Sequence, residues 1–137
     1  VTTVQFSSAY NTYINCQKNL VPYTFEGIQK SNIYFNTASS RLDEPSKELL
    51  NYIVEYAKDP DVYRIELSGY TDSIGSFRAN HKLASRRVEK VRDFLLSNGI
   101  PEKIMRFKVF GEQRPLASNK TTQGRDQNRR VFVRILR

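Results

Sequence analysis

The segment YRIELSGYTDSIG, residues 63–75, combines a strand pattern with a turn that carries an acid. From Tyr63 to Ser68 apolar and polar residues alternate, which predicts a half-buried β-strand. Gly69 to Gly75 then ends this strand in a tight turn, and Asp72 lies within that turn. The segment therefore predicts one element of the fold and one candidate functional residue.

Before this strand, apolar residues recur at the spacing of a helix. Pro45 suits the first turn of that helix, with Asp43 or Glu44 just before it. The sequence Asp-Pro-Asp at residues 59–61 predicts its end. The apolar stripe consists of Leu49, Leu50, Ile53, Val54 and Ala57.

After the strand, a second helix is predicted from about Ser76 to Asn98. Its apolar stripe consists of Ala84, Val88, Val91 and Leu95. Asn98 is followed by Gly99, a pair that predicts a left-handed cap at the end of the helix.

Three further segments alternate as strands do. They contain Ile33 and Phe35; Met105, Phe107 and Val109; and Val131, Val133 and Ile135, with a loop rich in Pro, Ser, Asn and Thr before the last. The order βαβαββ predicts an α+β fold, a two-layer sandwich in which two main helices cover one face of a mixed sheet.

Residues 1–30 are predicted to be a connector, or the remnant of an upstream domain, that precedes a domain at residues 31–137. Val4 and Phe6 suggest an extra strand, and Tyr10 to Leu20 suggests a short helix that Pro22 interrupts. The chain begins without Met and without a signal-peptide pattern, so we expect a processed form or a fragment.

The bulk composition favours one globular domain. The 137 residues are 39% apolar and 26% charged, and no apolar run is long enough to span a membrane. The net charge of +8 favours an anionic partner, which leaves nucleic acid, an anionic wall polymer and a membrane surface open. The basic residues are spread along the chain without an interleaved stacking platform, so we predict no nucleic-acid partner.

A second stretch, Gly124–Val131, carries three arginines and an asparagine and begins the last strand. Between it and Asp72 lies the helix that bears Asn80 and Arg87, two turns apart and therefore on one side of the helix. An acid and an arginine together suit a zwitterion, because the acid takes an ammonium and the guanidinium takes a carboxylate.

Each of these residues also has a structural interpretation. Asp72 could cap its own turn, and Arg87 could form an ion pair with Asp72. Arg129 is in phase with the apolar residues of the last strand, so it should need a partner. Arg130 is out of phase and is predicted to be a surface charge, while Arg125 is either structural or covers a glycan.

An enzyme is the weaker hypothesis. The only histidine, His81, is predicted to lie on the helix surface, and no nucleophile-elbow turn accompanies it. The sequence also lacks a set of metal ligands. We therefore predict a non-catalytic protein that needs neither a metal nor a cofactor.

Four spaced motifs resemble those of the OmpA-like peptidoglycan-associating domain over roughly residues 31–136. They are GYTDSIG at residues 69–75, NHKLASRRV at residues 80–88, FGEQRP at residues 110–115 and NKTTQGRDQNRRV at residues 119–131. Several motifs in the right order are more specific than a single short one.

The resemblance implies a function and a set of binding residues. Members of the family bind peptidoglycan through the free amino-acid end of the diaminopimelate in the stem peptide. By the motif positions the binding residues would be Asp72, Arg87, Asn80, Thr71 and Arg129. Asn36 would join them, although the family usually has an Asp there. Ala84 and Asp126 also depart from the pattern, so binding is expected to be weaker or more selective.

The N-terminal segment from Tyr10 to Ile28 resembles the one that precedes the wall-binding domain in periplasmic T-ring proteins of sodium-driven flagellar motors. This resemblance implies a periplasmic or outer-membrane-associated protein with peptidoglycan, the flagellar basal body and stator proteins as partners. It also implies that Cys16, the only cysteine, forms a disulfide with a missing upstream domain. The alternative is the anchoring domain of a general OmpA-like outer-membrane protein or lipoprotein.

Overall fold

A four-stranded mixed sheet organises the computed structural model, which describes residues 25–137. In chain order the elements are α1 (Phe25–Ile28), β1 (Lys30–Tyr34), α2 (Glu44–Ala57), β2 (Arg64–Tyr70), α3 (Phe77–Ser97), a 3-10 turn (Glu102–Ile104), β3 (Met105–Gly111), α4 (Thr122–Asn128) and β4 (Arg130–Leu136). The predictions for Cys16 and for the strand and helix at residues 1–20 concern residues outside the described range.

The strands lie in the order β1-β4-β2-β3, with β4 antiparallel to both of its neighbours and β2 parallel to β3. The register places Leu67 of β2 opposite Val133 of β4 and beside Phe107 of β3. Apolar residues of neighbouring strands therefore share one face. The predicted α+β architecture, two main helices on a mixed sheet, is confirmed.

The two long helices begin and end where the sequence predicts. Asp43 caps α2 by accepting a hydrogen bond from the Ser46 amide, and Ser76 caps α3 through the Ala79 amide. Beyond α3, Gly99 has φ +92°, the left-handed conformation expected from the Asn-Gly pair.

The apolar stripes of both helices pack against the apolar face of the sheet. The fully buried residues include Leu50 and Ile53 of α2, Leu95 of α3 and Ile65 of β2. Burying a side chain of this size stabilises a fold by roughly 1.5–3 kcal/mol. Ile28 of α1 belongs to the same core cluster, so the core begins before the predicted domain boundary at residue 31, which stays a prediction.

Three predictions about the elements need correction. Tyr63 precedes β2 and is 61% exposed, so it does not take part in the buried alternation. Phe107 faces the helices but is 40% exposed, because β3 lies at the edge of the sheet. The predicted loop before β4 contains the helix α4, which Thr121 caps through the Gly124 amide.

Candidate functional site

A small cavity of about 60 Å³ lies where β2 ends and α3 begins. It is lined by Thr37, Ala38, Thr71, Asp72, Ile74, Asn80, Leu83, Arg87 and Arg129. Five of the six residues named as candidate ligand contacts are in this list. They come from three separate parts of the chain: the turn after β2, one side of α3 and the residue before β4.

Asp72 is 5% exposed, and each of its carboxylate oxygens has a partner. Oδ1 accepts a hydrogen bond from the Ile74 amide at 3.0 Å, which is the turn cap considered from the sequence. Oδ2 accepts from Arg129 Nη1 at 3.1 Å. Because an ionised carboxylate can accept about four hydrogen bonds, Asp72 keeps lone pairs for a ligand.

The guanidinium of Arg87 is fully buried and held by three backbone carbonyls. Its Nε donates to Ser39 O at 2.8 Å, Nη1 to Tyr70 O at 3.0 Å and Nη2 to Asn36 O at 3.1 Å. A guanidinium has five N–H donors, so this arrangement fixes its orientation and leaves donors for a carboxylate. Asp72 forms its ion pair with Arg129. The alternative in which Arg87 pairs with Asp72 is therefore wrong.

Burial is the main cause of a lowered pKa at Arg87, which falls to about 10, and the positive charge of Arg129 lowers it further. The negative charge of Asp72 acts in the opposite direction. Arg87 is still cationic at neutral pH, but the desolvation of its charge is not fully offset by the protein. A bound carboxylate would supply the missing counter-charge.

Arg129, which was predicted to need a partner because it is in phase with the apolar residues of β4, has several. Its guanidinium donates to Phe35 O at 3.0 Å, to Asp72 and to Asp126. Asp126 lies one helical turn before it in α4 and is more than half exposed. The ion pair between Asp126 and Arg129 was not predicted. In the sequence, Asp126 was noted only as a residue that differs from the motif of the family.

Thr71 and Asn80 complete the wall of the cavity. The Thr71 hydroxyl oxygen is buried and has no hydrogen-bond partner, an arrangement that is costly unless a ligand or water satisfies it. Asn80 is 5% exposed, and its Nδ2 donates to Glu112 Oε1 at 3.2 Å. Glu112 lies in the FGEQRP motif, but a contact with Asn80 was not predicted for it.

Asn36 is not brought into the cavity. Its side chain is exposed, and its backbone carbonyl is the group that accepts from Arg87. The side chain instead lines a neighbouring groove of about 290 Å³, together with Asp126 and Arg129.

The other basic residues of the last motif have structural contacts. Arg130 is 7% exposed and its guanidinium carbon lies 3.7 Å from the centroid of the Tyr70 ring, so the prediction of a surface charge is wrong. Its long apolar stem and planar head stack on an aromatic neighbour on the second face of the sheet. Arg125 donates to Asn119 O at 2.9 Å and to the Thr122 hydroxyl.

Two asparagines hold the loop before α4 against the turn that carries Asp72. Asn128 is fully buried and accepts hydrogen bonds from the Leu116 and Ala117 amides. It also donates to the side chain of Asn119, which accepts from the Ser73 amide at 3.2 Å. The asparagine of the Asn-Arg-Arg motif is therefore a positioning residue for the site.

The charges of the cavity suit a neutral ligand that carries both signs. Two guanidiniums, from Arg87 and Arg129, are balanced by the carboxylate of Asp72 in the cavity and by that of Asp126 in the neighbouring groove. Within residues 25–137 no group of three or more His, Cys, Asp or Glu side chains is arranged to hold a metal ion. In the same range no helix has the length and apolar character needed to cross a membrane.

The family model of the OmpA family matches residues 34–129. The chain is similar to the sodium-type flagellar protein MotY of Vibrio parahaemolyticus, with 33% identity over 136 residues, 98% of this chain and 46% of that protein. It is also similar to outer membrane protein A of Bordetella avium, with 34% identity over 115 residues, 84% of this chain and 59% of that protein. The chain thus spans about half the length of these relatives.

Among solved structures, the peptidoglycan-associated lipoprotein of Burkholderia pseudomallei superimposes with a TM-score of 0.72 at 27% identity. The match covers 77% of this chain and 89% of that one. The similarity therefore extends over most of this chain.

Proposed function

This chain belongs to the OmpA family, and we propose that it binds cell-wall peptidoglycan, without catalysis, through the zwitterionic end of diaminopimelate. The observation that carries the proposal is the burial of an acid, Asp72, and a guanidinium, Arg87, in one cavity whose Thr71 hydroxyl lacks a partner. The similarity to the peptidoglycan-associated lipoprotein of Burkholderia pseudomallei supports the choice of polymer.

The ligand's two charged groups would bind to opposite sides of the cavity. Its ammonium would donate to Asp72 and to the Thr71 hydroxyl, while its carboxylate would accept from the remaining donors of Arg87. The cavity, about 60 Å³, is too small for a sugar ring. It would therefore hold the amino-acid head group, and the rest of the polymer would stay outside.

For the cellular role we propose an anchor that attaches a sodium-driven flagellar motor, at its T ring or stator, to the wall in the periplasm. The support is a similarity to MotY that runs along 98% of this chain. The second candidate is the wall anchor of a general OmpA-like outer-membrane protein, supported by the similarity to the Bordetella protein. Imaging of the full-length protein separates the two, since only a motor protein should concentrate at flagellar bases.

Sedimentation with purified wall sacculi tests the binding proposal. We expect the chain to sediment with sacculi that contain diaminopimelate and not with walls that contain lysine at that position. Asp72→Asn should weaken sedimentation at least tenfold, because a charge-assisted hydrogen bond is worth about 1.5–3 kcal/mol. Asp61→Asn, at an exposed acid outside the cavity, is the matched control.

Two outcomes would contradict the proposal. Equal binding to both wall types would show that diaminopimelate is not the recognised group. Release of soluble muropeptides during the incubation would show that the protein is an enzyme. Circular dichroism of the Asp72 variant must match the unmodified chain, so that lost binding is not lost folding.

A further inference from the structure

The sheet face opposite the two long helices is strongly basic. Residues alternate between the two faces of the sheet along each strand. Every strand therefore places alternate residues on this face, and the register aligns them side by side. We call these residues the outward rows. The charged side chains in these rows are Lys30, Arg64, Glu66, Arg106, Lys108, Arg130 and Arg134. Six cations therefore accompany a single carboxylate, while the whole chain has a net charge of +8.

The single carboxylate cannot neutralise these cations. Glu66 pairs with Arg64 at 3.9 Å and with Arg134 at 3.5 Å, both in partly exposed contacts. In the described part of the chain, Lys30, Lys108 and Arg130 form no ion pair. Arg106 likewise donates to the Lys103 and Met105 carbonyls rather than to an acid.

The cross-strand pairing includes a direct repulsion. Lys30 of β1 lies opposite Arg134 of β4, and like charges in directly opposed positions destabilise a sheet. Glu66 offsets part of the charge of Arg134, but it also faces Arg64, so the face keeps an excess of positive charge. An anionic partner would remove it.

Stacked rings and guanidiniums stiffen one end of this face. Tyr70 and Phe110 stack with ring centroids 5.1 Å apart, and Arg130 lies 3.7 Å from the Tyr70 centroid. Arg114 covers the other ring, 4.7 Å from the Phe110 centroid. Arg130 Nη1 and Asn32 Oδ1, which lie beneath this end of the face, are both buried without a hydrogen-bond partner.

We propose that this face, defined by the outward rows of β1–β4, docks an acidic protein surface rich in Asp and Glu. Arginine and aromatic side chains that are already ordered are the groups that protein interfaces favour, because little side-chain entropy is lost on binding. The site is separate from the cavity and does not rest on the proposed wall binding.

Other occupants fit the face less well. A second copy would present the same positive charge and be repelled. Single-stranded nucleic acid favours free ring faces for stacking, but Arg114 and Arg130 cover those of Phe110 and Tyr70. An anionic membrane would be helped by protruding apolar anchors, and of the aromatic residues on this face only Tyr34, at 45%, is strongly exposed.

The size of the face sets the expected strength of the interaction. Four strands about 4.8 Å apart and five to seven residues long give a footprint of roughly 400 Å², about half of a standard interface on one partner. The contact should therefore be weak and salt-dependent, and it should add to other contacts within an assembly rather than hold a complex alone.

Amide NMR of the 137-residue chain with soluble poly-L-glutamate as the probe tests the proposal. We expect shifts confined to the outward rows of β1–β4 and lost as salt is added. The double variant Lys30→Glu, Lys108→Glu should weaken binding on the order of tenfold. It should leave the unfolding midpoint unchanged or raised, since Glu at position 30 would oppose Arg134 favourably.

A matched double variant on α3, Lys82→Glu with Lys90→Glu, changes the same net charge at two exposed positions. If both double variants lose binding equally, the effect is net charge alone and the docking face is refuted. A second experiment tests a lipid surface, with vesicles of equal parts phosphatidylglycerol and phosphatidylethanolamine. Binding to these vesicles through the same face, without binding to poly-L-glutamate, would replace the protein partner by a lipid surface.

Discussion

Arg87 holds three separate segments together while it lines the cavity. The carbonyls of Asn36, Ser39 and Tyr70 converge on its guanidinium from the β1–α2 connection and from the end of β2. Its ring contact with Phe35, 5.1 Å from the centroid, adds a further attachment. The same side chain is therefore expected to affect both stability and ligand binding.

The variant Arg87→Lys should show whether the positive charge of Arg87 suffices, or whether the donor geometry of its guanidinium is also needed. Lysine keeps the positive charge but cannot donate in three directions or make a two-pronged contact with a carboxylate. We expect a loss of about 1.5–3 kcal/mol in the free energy of unfolding, measured by urea denaturation, together with weakened sedimentation with sacculi. Arg86→Lys, at the exposed neighbour, is the control. Wild-type stability in Arg87→Lys would show that the three carbonyl contacts are dispensable.

Asp126 is expected to set which ligand charge the cavity accepts. It shares Arg129 with Asp72 and thereby balances the second guanidinium. Asp126→Asn would leave one uncompensated positive charge. Binding of a muropeptide whose diaminopimelate ammonium is acetylated should then strengthen a few-fold, with little change for the free zwitterion.

Calorimetric titration with both muropeptides measures this shift in preference. Asp93→Asn provides a control, because Asp93 is an exposed acid that pairs with Arg92 on α3. Equal changes for the two ligands would mean that Asp126 acts on the fold rather than on ligand charge.

Most of the residues that line the cavity could be predicted from the sequence, but the ion pairs among them could not. Asp72, Asn80 and Arg87 line one cavity, as helix periodicity and motif spacing predict, and their role as ligand contacts stays a prediction. Whether Arg87 or Arg129 pairs with Asp72 depends on a contact across 57 positions of the chain, which local pattern does not encode. The burial of Arg130 was missed for the same reason, since its stacking partner belongs to another strand.

Gly69 lets α3 lie directly against β2. A Cβ atom at this position would be 2.6 Å from the Ala84 carbonyl oxygen and 2.6 Å from Val88 Cγ2. No heavier residue fits without moving the helix. The close approach brings Asn80 and Arg87 of α3 up to the turn that carries Asp72.

Gly69→Ala should destabilise the domain and loosen the cavity together. We expect the free energy of unfolding to fall by about 1–3 kcal/mol, the usual cost of overpacking. Thermal unfolding measures this cost, and sedimentation with sacculi below the transition measures the effect on the site. Ser68→Ala, the adjacent residue on the opposite face, should do neither. A Gly69→Ala variant with unchanged stability would mean that α3 shifts away freely.

The elements themselves were predicted where periodicity is strong. Both long helices have apolar stripes and recognisable caps, and their predicted limits agree with the structure. The helix α4, Thr122–Asn128, has no apolar stripe and is stabilised by the Thr121 cap and by side-chain hydrogen bonds of Asn128. Such a helix depends on tertiary contacts, so it appeared in the sequence as a polar loop.

For the whole molecule, folding separates charges that are dispersed in the sequence. The basic residues of the strands are spread over more than one hundred positions, from Lys30 to Arg134, and the register gathers them onto one face. The sequence could not show this, because the order β1-β4-β2-β3 differs from the chain order. The cavity lies at the end of the sheet, so the two proposed partners, the wall and an acidic protein, would not compete for the same surface.

The central position of β4 has a mechanical consequence. Arg129 immediately precedes this strand, which is bonded to β1 on one side and β2 on the other. Hydrogen bonds in antiparallel ladders run perpendicular to the strands. Tension entering at Arg129 along β4 would therefore load both ladders in shear, with many bonds sharing the force, whereas the same tension along the edge strand β3 would load a single ladder. The cavity is thus attached to the interior of the sheet, since Arg129 leads into β4 and Asp72 follows β2, the two strands that are bonded on both sides.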